Sequence, residues 1–180
     1  MMRLGILLAA AALLGACGRT SPPEERANAA APAASQTPQS TLAALDKRKP
    51  LPLLPMMANH QKANMRDHLV AVQEITSALA KDDYAAAEQA AQRLGFSEQM
   101  GQMCTHMGAG APGFTEQALA FHHTADRIAA SARRKDHAQA LVDLGATLQA
   151  CTGCHAAWKQ EVVDEATWQR LANAPVPASH

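Results

Sequence analysis

The sequence predicts an all-α protein, and three observations predict it. Ala, Leu, Gln and Met dominate a chain of 180 residues that holds only two Trp, one Tyr and three Phe. Unbranched side chains lose little rotamer freedom in a helix, so this composition favours helices. Four segments between Pro55 and Val162 repeat apolar residues at spacings of three and four, which is one face of a helix. No segment shows the signals of a strand. The length suits one domain plus extras. With 16 basic against 16 acidic residues, no global field recruits nucleic acid, and no nucleic-acid partner is expected.

Residues 1–16, "MMRLGILLAAAALLGA", carry one arginine and then an apolar run too short for a comfortable membrane span, which predicts an export signal peptide. Leu14-Gly15-Ala16-Cys17 resembles the lipobox of bacterial lipoproteins, which implies lipid on Cys17 and attachment to a membrane through it. The alternative is an ordinary cleaved signal with an incidental cysteine. Gly18 after the cysteine fits sorting to the outer membrane of a Gram-negative cell, facing the periplasm. Residues 17–50 hold repeated Pro, Ala, Ser and Gln with almost no large apolar side chains, and are expected to form the lipidated end and a flexible linker. The folded unit is expected over 51–165, with a tail over 166–180.

Pro55 suits a first helical turn, and Met57, Met65, Leu69, Val72, Ile75 and Leu79 extend one apolar stripe to Lys81. After "KDD", Tyr84, Ala87, Ala91 and Leu94 share a face before the stop at Gly95. The stretch 96–114 reads as a loop with at most a turn around Glu98–Met103, because glycine and proline cluster in "GAGAPG". Thr115 is the expected cap of a third helix buried through Phe121, Ala125, Ile128 and Ala132. The fourth helix carries the seam Leu141, Leu144, Leu148, Cys151, His155, Trp158 and Val162. Four such helices predict an antiparallel four-helix bundle, a fold that holds cofactors between facing helices.

The seam of the fourth helix contains "LQACTGCHAAWKQ", residues 148–160. Two cysteines three apart with a histidine next to the second fit a redox dithiol, part of a zinc site, or a haem attachment. A redox dithiol needs its first cysteine at a helix N-terminus after a strand, whereas this motif lies within a helix. Zinc needs four ligands, and the remaining cysteine outside the lipobox, Cys104, lies far off in the sequence. Covalent haem needs two thiols for the porphyrin vinyls and a histidine beside the second thiol for the iron, and the pentapeptide supplies all three. Export agrees with that reading, which leaves a structural disulfide as its main competitor.

The bundle pattern, with Cys151-Thr152-Gly153-Cys154-His155-Ala156-Ala157-Trp158-Lys159 in its last helix, resembles the cytochrome c-prime superfamily and its low-spin c556 branch. The resemblance covers about residues 53–164. It implies one haem c bound in the bundle core near the C-terminal helix, with Cys151 and Cys154 as covalent attachments, His155 on the iron and Trp158 packed on the haem. It also implies that the first helix crosses the other haem face, where the family register falls on Met65. His/Met ligation would give a low-spin iron suited to carrying single electrons between redox partner proteins, without enzymatic activity. His68, Met57 and His60 compete for that position. If none binds, the five-coordinate iron of the c-prime branch would take up nitric oxide or carbon monoxide. The chain departs from the family where c-prime proteins often place an arginine, having Gln61 and Lys62. Members are often homodimers, so a homodimer is possible here.

Two other groups stand out. Met100, Met103, Cys104, His106 and Met107 are soft donors that suit Cu(I), although methionines over a bundle end also serve as packing. His122 flanks the third helix's buried side and could meet a haem edge, while adjacent His123 is expected to face solvent.

Overall fold

The computed structural model describes residues 37–175. The export signal and Cys17 lie outside the described residues. Within them are seven helices and one two-stranded sheet. No described helix is long and apolar enough to cross a membrane. Helix α1 (Pro38–Leu45) buries none of its residues.

Helix α2 (Pro55–Leu79) starts on the expected proline. Helix α3 (Tyr84–Gln92) is capped by the Asp83 carboxylate, which accepts from the Ala86 N–H. The expected loop after it instead contains an eleven-residue helix, α4 (Glu98–Gly108). Ser97 starts it by accepting from the Met100 N–H, with Glu98 in the first turn where the helix dipole favours an anion. Gly108 and Gly110, two of the glycines that suggested a loop, serve close packing. A Cβ on Gly108 would stand 2.2 Å from Thr115 Oγ1 and 3.1 Å from Phe114 Cδ1. Gly108→Ala is therefore expected to destabilise the protein by about 1–3 kcal/mol, measurable by urea unfolding.

Helix α5 (Phe114–Arg133) begins after Gly113, whose φ of 91° is the left-handed conformation glycine tolerates. Thr115 does not cap it; its hydroxyl donates to the Cys104 carbonyl at 3.4 Å. Helix α6 (His137–Ala157) is capped by Asp136, which accepts from the Gln139 N–H. Helix α7 (Glu165–Ala172) occupies part of the expected tail, its Asp164 cap accepting from the Thr167 N–H.

A strictly all-α expectation meets a correction at the end of α6. Trp158 does not continue the helix; its φ and ψ of −124° and 145° are extended, and it opens strand β2 (Trp158–Val162). This pairs in parallel with strand β1 (Lys49–Leu53), Lys49 opposite Trp158 and Leu53 opposite Val162. β1 reads "KPLPL", and its prolines hid it, because proline cannot donate to a ladder and is confined to edges. In a two-stranded sheet both strands are edges, so they are accommodated.

α5 packs on α6 and α3, and α3 on α2. Alanine-rich faces make this close approach possible: Ala71, Ala87, Ala91, Ala125, Ala132 and Ala140 are fully buried around Ile75, Leu94 and Ile128. A second apolar cluster gathers Leu51, Leu53, Ala58, Met107, Phe114 and Trp158, tying the sheet to α2, α4 and α5. Between α5 and α6, the buried Asp143 accepts from Ser131 Oγ at 2.6 Å and Gln139 Nε2 at 3.1 Å, so its burial is compensated.

Candidate cofactor cavity

α2 and α6 are not among the closely packed pairs. A cavity of about 780 Å³ is lined by both, with α4, α5 and the sheet completing its wall. That lies within the roughly 300–1,000 Å³ of small-molecule and cofactor sites.

The helical stripes explain why the cavity is apolar. α6 has two working faces. Ala140, Asp143, Leu144 and Thr147 are buried against the rest of the fold, whereas Leu148, Cys151 and His155 line the cavity. The expected single seam mixed these faces, so Leu141 and Leu148 are exposed rather than buried, at 47 and 42 %, and Val162, in β2 rather than in α6, is 57 % exposed. On α2, Ile75 and Leu79 enter the core as expected, while Met65, Leu69 and Val72 line the cavity. Met65 at 38 % exposure and Leu69 at 69 % lie on a face that no part of the described residues covers. Uncovered apolar side chains grouped in this way mark a candidate binding site.

Cys151, Cys154, His155, Trp158 and Met65 all line this one cavity. The two thiols are one turn apart in the last turns of α6, and Cys104 of α4 also reaches the wall. All three are free thiols. Burial raises the pKa of each, and for Cys154 the neighbouring Cys151 and Cys104 add to the rise. Such thiols stay protonated, and the C-terminal end of a helix disfavours thiolate further, so this is poor ground for a dithiol redox centre.

The end of α6 is held from an unexpected direction. Arg48, assigned by sequence to the linker, donates through Nη1 to the carbonyls of His155 (3.2 Å) and Trp158 (3.4 Å), which the helix end leaves without partners. Asp46 orients that guanidinium at Nε (3.0 Å) and Nη2 (2.8 Å). In return Arg48 holds the Asp46 carboxyl well below the usual range. Lys159 Nζ donates to the Asp46 carbonyl at 2.9 Å. Trp158 is 8 % exposed, packs edge-on against Phe114 at 5.6 Å and donates its indole N–H to Gln117 Oε1 at 2.9 Å. Only the short Asp-x-Arg before an apolar run could have signalled this strap.

Among the competitors, His68 lies on the cavity wall, its ring tilted against Phe121 (5.2 Å) and edge-on to His122 (5.8 Å). His122 is buried and donates from Nδ1 to the Leu94 carbonyl at 2.7 Å, which fixes its tautomer with the Nε2 lone pair free. Burial lowers both imidazole pKa values, that of His68 to about 4 with His122 adding to the effect. The unfolded chain then binds more protons than the folded one between about pH 6.5 and 4. Stability is expected to fall as pH drops through that window, and His68→Gln should flatten the dependence in urea unfolding curves. His123 faces solvent, stacked on Phe96 at 4.6 Å. Met57 and His60 are absent from the cavity wall.

The soft-donor group separates. Met100, Cys104 and Met107 reach the cavity, His106 packs on Trp168 at 5.1 Å, and Met103 meets His60. Of the groups flanking the expected arginine position, Gln61 is buried and accepts from Gln160 Nε2 at 2.5 Å, while Lys62 and Arg66 stand on the cavity wall. No protein-family model, curated protein or solved structure matches the chain.

Proposed function

We propose that the chain is a monohaem c-type cytochrome that carries single electrons, its haem seated in the cavity lined by α2 and α6. The observation carrying this is that Cys151, Cys154 and His155 share one apolar cavity with Met65, a residue far away in sequence. In this reading α2, α3, α5 and α6 are the four-helix bundle of a c-prime or c556 type protein. Cys151 and Cys154 would hold the haem covalently, and His155 and Met65 would be the ligands offered to its iron. When bound, the haem iron supplies the one-electron chemistry. The chain supplies the rest. Phe114, Phe121, Leu69 and Leu148 exclude water, and Lys62 and Arg66 offer cations to the acidic edge of the haem. The Arg48 strap fixes the backbone at His155. An N-terminal lipid on Cys17 would place the protein at a membrane facing the periplasm, where its partners are other redox proteins.

The test is acid–acetone extraction of the purified protein, followed by optical spectra with and without carbon monoxide. Haem that stays with the polypeptide and gives low-spin spectra indifferent to carbon monoxide supports the carrier. A high-spin spectrum with ready carbon monoxide binding would replace it by the five-coordinate gas-binding reading. Absence of covalent haem would overturn both.

A further inference from the structure

We propose a second, soft-metal site for Cu(I), outside the cavity wall, formed by His60 and Met103 with Met57 as the third ligand. His60 Nε2 stands 3.0 Å from Met103 Sδ, and Asn64 Nδ2 approaches the same sulfur at 3.5 Å and His60 Nε2 at 3.3 Å. A thioether is a weak hydrogen-bond acceptor, and an exposed imidazole has water as a better partner, so hydrogen bonding alone gives little reason for this convergence. Met57 lies one turn before His60 on α2, and Met103 one turn before Met107 on α4. Met57 and Met103 both pack, partly buried, against the apolar cluster that contains Met107. The contact between His60 of α2 and Met103 of α4 therefore brings an imidazole and a thioether together at the edge of an apolar cluster, and Met57, one turn from His60 on α2 and packed on the same cluster, is the thioether placed to complete the set.

The chemistry of the set selects the ion. It has no carboxylate and no thiolate, and among the described residues no three His, Cys, Asp or Glu converge. Neutral sulfur and imidazole donors suit Cu(I) and leave hard divalent cations without the charge they require. The site differs from the group of donors contiguous in sequence: His106 is engaged with Trp168, and Cys104 is buried on the cavity wall.

The test titrates the full-length purified protein anaerobically with Cu(I) held by the chromophoric chelator bicinchoninate, with haem content measured on the same sample. The wild type is expected to withdraw one Cu(I). His60→Ala and Met103→Leu should weaken binding by about 100-fold or more, beyond the loss expected for an outer-shell partner. Met57→Leu should weaken it too, while Cys104→Ser and His106→Ala bind as wild type. Circular dichroism checks that each variant keeps its helices. Failure of the wild type to compete, equal binding by His60→Ala and Met103→Leu, or loss on Cys104→Ser overturns the proposal. A chain carrying Cys151→Ser and Cys154→Ser should still bind one Cu(I), so the outcome stands apart from that of the haem reading.

Discussion

Met65→Ala is expected to leave the covalent haem content unchanged while converting a low-spin spectrum into a high-spin one that binds carbon monoxide stoichiometrically. The methionine-to-iron charge-transfer band should disappear with it. Met65 is partly exposed on the cavity wall rather than locked into the core. Its truncation should therefore cost roughly 1 kcal/mol or less of folding stability, so the spectral change reports ligation and not unfolding. His68→Ala is the matched control, one turn further along the same wall, and should keep the band. A Met65→Ala protein with the wild-type spectrum would remove Met65 from the iron and turn attention to His68 and to the free Nε2 of His122.

The second large effect is on stability. Trp158→Ala is expected to cost about 3–5 kcal/mol, measured as a lowered urea midpoint. Trp158 closes the apolar cluster against Phe114, satisfies its N–H on Gln117, lies under Lys49 Nζ at 5.2 Å and begins the strand that pairs with β1. Trp158→Phe keeps the packing but loses the Gln117 hydrogen bond, and should cost about 1 kcal/mol. Near-equal losses for the two variants would show that the indole N–H, not the ring, holds this corner.

The helical elements α2, α3, α5 and α6 were legible because each repeats apolar residues at spacings of three and four along its length, whichever face those residues turn out to cover. Helix α4 was not, since Gly101 and Gly108 are loop formers by propensity, and Gly108 is required here for close packing against Phe114 and Thr115. β1 was hidden by two prolines, and β2 because "WKQEV" continued the helical spacing of the residues before it. Of the candidate site, the grouping of Cys151, Cys154 and His155 followed from adjacency alone. What the sequence could not separate were the faces of α6: Leu148 and Thr147 are neighbours, one turned to the cavity and the other to the core. Apolar periodicity reports a wish for cover, and it does not say whether protein or ligand provides it.

The parallel sheet also sets an order of events. Helices form from contacts near in sequence, whereas Arg48 reaches His155 across 107 positions, and closure over such a span is slow and entropically costly. The strap can dock only after α6 has been made. Until then the carbonyls of His155 and Trp158 lack the guanidinium that holds them. For a chain that takes a cofactor as proposed, docking of β1 would be the step that closes the site, and the cofactor would have to arrive before it.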